Sequence, residues 1–188
     1  MKWCFVICGH IGISVCGFAQ QPASDASGVY QTKEDFLGNN VYHLAKNDAD
    51  NFVKIGSNQS ILLYRGSEKS KFKFREVYGY YNNGAQYRKF GAIKFFTKYG
   101  YAQIIDRRGL ILYAATYAAY KVGRTHYFYS LTKDSPVKYF SIANLKKDFP
   151  DNPEFVKAIK KLSYKEYSLQ KDGQYLINDL YLKSINKK

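Results

Sequence analysis

Apolar and polar residues alternate through the middle of the chain, which is the pattern of half-buried β-strands. The clearest stretch is 71–80, where aromatic side chains are predicted to share one strand face and basic side chains the other. The residues concerned are Phe72, Phe74, Tyr78 and Tyr80 on the first face and Lys71, Lys73 and Arg75 on the second. Asn83-Gly84 then predicts a type I′ hairpin turn. Further strands are expected at 60–64, 86–90, 93–96, 101–105 and 127–131.

One apolar stretch, 110–120, fits two structures. Tyr113, Tyr117 and Tyr120 have helical spacing, whereas the flanking turns and neighbouring strands favour a long strand. We expect a strand and keep the helix as the alternative.

The last third of the chain has helix signals instead. Ser141 is predicted to cap a helix over 142–149, and Asn152 followed by Pro153 is predicted to begin another. The buried stripe of that second helix is predicted to consist of Phe155, Ala158, Ile159 and Leu162. Strands at about 50–131 followed by helices at about 141–186 predict an α+β fold, with an antiparallel sheet (a meander or a partly open barrel) and a C-terminal cluster of helices.

The N-terminus has the three parts of a secretory signal peptide. Lys2 precedes an apolar run, and Gly17 and Ala19 occupy the small-residue positions of a cleavage site. We therefore predict a signal peptide over 1–19, a flexible lead-in over 20–28 and one domain over 29–188. Residues 13–16 resemble a lipobox, so lipidation of Cys16 is the alternative, although Val15 is larger than that motif prefers.

Composition narrows the possible functions. All three cysteines lie within the predicted signal, so the mature chain would contain no disulfide, no thiolate nucleophile and no cysteine ligand. Without Lys2, 28 basic residues stand against 15 acidic ones, a net charge of +13, and the chain contains 19 tyrosines. No zinc, calcium or nucleotide-binding motif occurs, and we predict neither a metal nor a cofactor.

Three segments carry a resemblance to a protein family. They are residues 17–20, residues 27–36 (SGVYQTKEDF) and residues 127–152, which include YFYS and NLKKDFPDN. In these segments the chain resembles an uncharacterised family of exported proteins of Bacteroidota-type bacteria, for which no activity is established. The resemblance implies export and a shared fold, and it assigns no catalytic residue.

Basic residues interleaved with aromatics are the most suggestive functional pattern. The candidate binding residues are Lys71, Lys73, Arg75, Arg88 and Lys89. A strand that alternates aromatic with basic residues places the two kinds of side chain on opposite faces, whereas a surface that binds single-stranded nucleic acid needs both on one face. This arrangement and the predicted export both disfavour nucleic-acid binding. We expect an exported, non-enzymatic binding domain whose basic surface meets anionic envelope components, such as lipid headgroups, lipopolysaccharide or acidic polysaccharide. Its location would be the periplasm or the cell exterior, with association at the outer membrane, and the mature chain has no predicted transmembrane span.

The alternative hypothesis is a secreted hydrolase. His43 and His126 are the histidines of the mature chain, and either could act with a serine or a carboxylate. The close acidic pairs, Asp48 with Asp50 and Asp148 with Asp151, are better interpreted as loop and helix-end residues. We therefore predict no catalytic residue.

Overall fold

The computed structural model describes residues 26–46, 48–56, 60–90, 100–119 and 122–186. The strands in this part of the chain are β1 (Ala26–Tyr30), β2 (Tyr42–Lys46), β3 (Asn51–Gly56), β4 (Ser60–Arg65), β5 (Glu68–Lys73), β6 (Gly79–Asn82), β7 (Ala85–Lys89), β8 (Tyr101–Asp106), β9 (Ile111–Ala119), β10 (Val122–Ser130), β11 (Lys138–Tyr139), β12 (Gln170–Lys171) and β13 (Gln174–Tyr175). The α-helices are α1 (Lys33–Gly38), α2 (Ile142–Asp148), α3 (Pro153–Lys160) and α4 (Leu176–Ile185). Short 3-10 helices occupy Phe74–Glu76 and Tyr164–Ser168.

Eight of these strands form one antiparallel sheet in the order β11-β10-β9-β8-β7-β6-β1-β2. From β6 to β11 the sheet is a simple meander, and β1 then pairs with β6 and carries β2 at the edge. Strands β3, β4 and β5 form a separate three-stranded sheet, and β12 pairs with β13. The predicted α+β class with an antiparallel sheet and C-terminal helices is confirmed, and the large sheet is open, with β11 and β2 at its two edges.

The two faces of the large sheet are covered by different elements. The front face carries Tyr80 and Tyr101 under the three-stranded sheet, and it carries Leu112 and Tyr129 under the C-terminal helices. The back face is covered by α1, whose Phe36 packs with buried tyrosines, and by the segment that leads into β11. The three-stranded sheet and the helices therefore lie side by side on one face.

Several local predictions are confirmed. Asn83 and Gly84 both have positive φ (47° and 74°) in the turn between β6 and β7. Ser141 caps α2, and Asn152 caps α3 with Pro153 in its first turn. The stretch predicted at 110–120 is the strand β9. These signals are short-range hydrogen bonds and backbone preferences, so the sequence displays them directly.

The single strand predicted over 71–80 is wrong. Strand β5 ends at Lys73, a 3-10 helix follows, and the chain re-enters the large sheet at Gly79. The carbonyl of Phe74 accepts hydrogen bonds from Lys89 Nζ (2.8 Å) and from Tyr101 Oη (3.2 Å), so side chains satisfy the backbone where the strand breaks.

The ordered domain also begins earlier than predicted. Residues 26–28, which were expected in a flexible lead-in, belong to β1, and every residue of β1 is buried. This strand lies between β6 and β2, so Ser27 and Gly28, which contribute no apolar side chain, are ordered by backbone pairing on both sides. Strand β2 was not predicted, and β3 lies within the predicted strand region of about 50–131 but was not located individually. The strand predicted at 93–96 and the predicted signal peptide lie outside the described residues.

The stripe predicted for the second C-terminal helix is confirmed in part. Phe155 and Ile159 of α3 are fully buried, and Val156 joins them. Leu162 lies beyond the end of α3 and is only half-buried. The longest helix of the C-terminal group is α4, whose apolar residues Ile177 and Leu180 pack against the same core.

Candidate functional site

The three-stranded sheet has one face turned toward the core and one turned away from it. Val53, Ile61 and Leu63 point inward, because they are buried in the cluster that contains Tyr80 and Tyr101. Strand alternation and the pairing register place the neighbouring positions on the outer face. We define the lysine face by seven of these outer residues: Phe52, Lys54, Leu62, Tyr64, Lys69, Lys71 and Lys73.

The pairing register arranges the lysine face in cross-strand rows. Lys54, Leu62 and Lys71 form one row, and Phe52, Tyr64 and Lys69 form the next. The rings of Phe52 and Tyr64 stack at 4.4 Å between centroids, and Lys69 Nζ lies 5.4 Å from the Tyr64 ring centre. The face thus combines cations with half-exposed aromatic and aliphatic surface.

No acidic residue interrupts the lysine face. Gly56 and Ser60 complete the nine outer positions of the three strands, and none of the nine is Asp or Glu. Its four lysines are exposed, and none of them forms an ion pair with a residue that the structure describes. Successive lysines of β5 are about 7 Å apart along the strand, which is within the screening length of about 10 Å at 0.1 M salt, so their fields add.

The predicted binding residues divide into two groups. Lys71 and Lys73 lie on the lysine face, and Arg75 is exposed in the 3-10 helix that follows β5. Lys89 is half-buried on the large sheet, where its ammonium group donates to the Phe74 carbonyl and burial lowers its pKa. Lys89 therefore holds the break after β5 and does not contribute to the exposed basic surface.

Arg88 does not belong to the exposed basic surface either, contrary to the prediction. Its side chain is 3% exposed on the back face of the large sheet. The guanidinium donates to the hydroxyls of Tyr78 and Tyr113 and to the Ser135 carbonyl. The alternation that turns Tyr87 toward the front face turns Arg88 into the opposite layer.

Sequence reasoning missed Lys54, Lys69 and the aromatic pair on this face. The opposition of aromatics and bases along β5 is correct, because Phe72 packs inward between outward lysines. Phe52 and Tyr64 reach the lysines from the neighbouring strands. The alternation Val53-Lys54-Ile55, together with the β-branched and aromatic residues of 52–55, is the signal that could have found β3.

The two histidines do not form a site with each other. His126 lies in β10 with 9% exposure, and its pKa is lowered by burial and by the nearby charge of Arg124. His43 belongs to β2, and its side chain is outside the described part. Six inter-strand spacings separate β10 from β2, or roughly 29 Å along the sheet. The pairing of these two histidines in acid–base catalysis has no support in this geometry.

Comparisons with family models, with curated proteins and with solved structures find no match to this chain. Across the described ranges, no helix has the length and hydropathy needed to cross a bilayer. In the same ranges, no three His, Cys, Asp or Glu side chains gather as metal ligands would.

Proposed function

We propose that the protein is an exported binding domain that attaches to anionic lipid headgroups through its lysine face. The observation that carries the proposal is the set of nine outer strand positions, which contain four lysines and no carboxylate. Such a surface presents a continuous positive field to phosphate-bearing headgroups.

The energetics favour weak, reversible attachment. A lysine close to an anionic bilayer contributes about 1 kcal/mol, so four contribute about 4 kcal/mol. A free energy of about 4 kcal/mol corresponds to a dissociation constant near 1 mM at one site. Phe52, Leu62 and Tyr64 supply apolar and aromatic contact at the interface, which adds to the electrostatic attraction.

Export is part of the same proposal. The signal pattern of residues 1–19 supports it, with Cys16 lipidation as the alternative form of attachment. A domain at +13 that is secreted across the inner membrane would meet anionic lipid, lipopolysaccharide and acidic polysaccharide. These partners share the anionic groups that the lysines attract, and lipid headgroups are also the partner that would use the apolar part of the face.

Co-sedimentation of the chain from Gln20 onward tests the proposal. We expect binding to vesicles that contain anionic lipid and none to neutral vesicles at low salt, with the binding lost at about 0.3 M salt because the charges are then screened. Equal and negligible binding to both vesicle types would refute it. Binding to a soluble acidic polysaccharide but not to anionic vesicles would refute the lipid assignment.

A further inference from the structure

Arg88 carries a buried positive charge on the back face of the large sheet without a carboxylate partner in the described part of the chain. Its hydrogen bonds go to the Tyr78 hydroxyl (2.9 and 3.2 Å), the Tyr113 hydroxyl (2.9 Å) and the Ser135 carbonyl (2.9 Å), all of which are uncharged. The rings of Phe36 and Tyr78 lie within 5.8 Å of the guanidinium carbon. A buried cation that is solvated by neutral groups alone raises the affinity of its surroundings for an anion.

Asp134 is an acidic residue whose pKa responds to the charge of Arg88. Its pKa is lowered first by the Thr132 hydroxyl and its own amide, and then by the charges of Lys33 and Arg88. Asp134 is exposed, and water screens its charge. It therefore offsets the charge of Arg88 only weakly.

A second guanidinium, Arg107, stands on the same face. One Nη of Arg107 donates to Gln86 Oε1, and the hydroxyls of Tyr30, Tyr81 and Tyr113 lie close enough to interact electrostatically with the guanidinium. Tyr113 connects the two arginines, because its hydroxyl also accepts from Arg88. The structure describes no acceptor for the other N–H groups of the Arg107 guanidinium.

The acceptor of Arg107 is held in place by a chain of hydrogen bonds. Gln86 Nε2 donates to the Tyr30 hydroxyl (2.8 Å), which donates to Asn39 Oδ1 (2.7 Å) at the end of α1. Gln86 is 8% exposed and Tyr30 is fully buried, and burial raises the pKa of Tyr30 to about 12. Tyr30 therefore stays a neutral donor, and the amide oxygen of Gln86 is fixed toward Arg107.

A cavity of about 270 Å³ opens beside these groups. Its walls are formed by Gly84, Gln86, Ile104, Ile105, Asp106 and Arg107. The carboxylate of Asp106 is already engaged, because it accepts from the Arg108 side chain (2.9 Å) and from the Tyr175 amide (3.2 Å). Arg107 is thus the charged group with free hydrogen-bonding capacity at this cavity.

We propose that this cavity binds a small ligand through an anionic oxygen group, a carboxylate or a phosphate, which Arg107 holds directly and Arg88 attracts through its charge. A guanidinium fork matches the paired oxygens of either group. The cavity is slightly smaller than typical small-molecule sites, so the ligand is a small metabolite or a single charged moiety of a larger one. This site lies on the back face of the large sheet, whereas the three-stranded sheet with the lysine face covers the front, so the two proposals stand independently.

Titration calorimetry with inorganic phosphate and with acetate, at constant ionic strength, tests this site, and acetamide is the uncharged counterpart of acetate. We expect saturable binding of at least one of the two anions and none of acetamide. Arg107→Gln should weaken the binding about ten-fold or more, which is the loss of one hydrogen bond to a charged group. Arg107→Lys keeps the charge but lacks the fork, and it should bind more weakly than the native protein and more tightly than Arg107→Gln.

The matched control is Arg124→Gln, which removes one exposed arginine of β10 and should leave the binding unchanged. Circular dichroism of each variant establishes that it is folded. Saturable binding that is equal in the native protein, Arg107→Gln and Arg124→Gln would overturn the assignment. Absence of saturable binding for both anions in the native protein would overturn it as well.

Discussion

Asn178→Ala is the substitution whose effect on stability follows most directly from the structure. Asn178 is fully buried in the first turn of α4, and its side-chain amide pairs with the backbone of Leu110 as a neighbouring strand would. Its Oδ1 accepts from the Leu110 amide (2.9 Å), and its Nδ2 donates to the Leu110 carbonyl (2.9 Å). This pair of bonds joins the last helix to the connection between β8 and β9, 68 residues earlier in the chain.

The expected loss can be estimated from these two bonds. Alanine would leave the amide and the carbonyl of Leu110, which is 1% exposed, without a partner. An unsatisfied buried polar group costs about 1 to 3 kcal/mol, so Asn178→Ala should lower the free energy of unfolding by about 2 to 6 kcal/mol. That range is a large part of the stability of an ordinary domain, about 5 to 15 kcal/mol.

Urea denaturation followed by circular dichroism measures this loss, with the midpoint expected to fall while the slope stays unchanged. Asn186→Ala, at the exposed end of α4, is the matched control and should change stability by less than about 0.5 kcal/mol. Equal small losses in both variants would refute the view that Asn178 fastens α4 to the sheet.

Two further stability predictions concern other buried contacts of the helical layer. Ile159→Ala should lower the free energy of unfolding by about 2 to 5 kcal/mol, because Ile159 is fully buried. Leu162 is only half-buried, so Leu162→Ala should lower the free energy of unfolding by about half as much. Comparable urea midpoints for the two variants would contradict this order. Burial raises the pKa of Asp148, but hydrogen bonds from Lys138 and Tyr129 outweigh it and leave the pKa below its ordinary value. The stabilisation by this carboxylate should therefore be present above about pH 4, the ordinary pKa of an aspartate, and should be lost as the pH falls through its lowered pKa. In a series of urea unfolding curves, Asp148→Asn should differ from the native protein at pH 7, and the difference should shrink as the pH is lowered below about 4.

The parts of the fold that could be predicted are those with local causes. Thr32 accepts from the Asp35 amide, and Asn152 accepts from the Phe155 amide, so each cap lies within three residues of its partner. The turn at Asn83-Gly84 depends on two adjacent residues that accept positive φ. Such signals are readable without knowing the tertiary structure.

The elements that were mispredicted depend on distant partners. β1 is a strand because β6 and β2 pair with both of its edges, whereas its first three residues, Ala-Ser-Gly, carry little strand signal of their own. The break after β5 is held by Lys89 and Tyr101, which are 15 and 27 residues from Phe74. No window of local sequence contains these contacts.

On the lysine face, too, some residues could be predicted from local sequence and others only from the tertiary structure. Alternation along β5 was sufficient to predict that Lys71 and Lys73 point away from the core. The addition of Lys54, Phe52 and Tyr64 required the register of three strands. The burial of Arg88 depends on Tyr113 and Ser135, which are 25 and 47 residues away along the chain. The local sequence around Arg88 predicts an exposed side chain, so its burial could be recognised only from the structure.

Binding to anionic membranes is proposed to depend on the lysine face and not on the net charge of the protein. Two variants of equal charge separate these explanations, each with four exposed lysines changed to glutamine. The first changes Lys54, Lys69, Lys71 and Lys73 of the lysine face, and the second changes Lys147, Lys157, Lys160 and Lys161 of the helical layer.

The decisive measurement is the affinity of both variants for anionic vesicles at low salt. At about 1 kcal/mol for each lysine, the first variant should bind roughly 10³-fold more weakly than the native protein, while the second should stay within a few-fold of it. Equal weakening of the two variants would show that net charge alone attracts the membrane, and it would contradict the assignment of function to the lysine face.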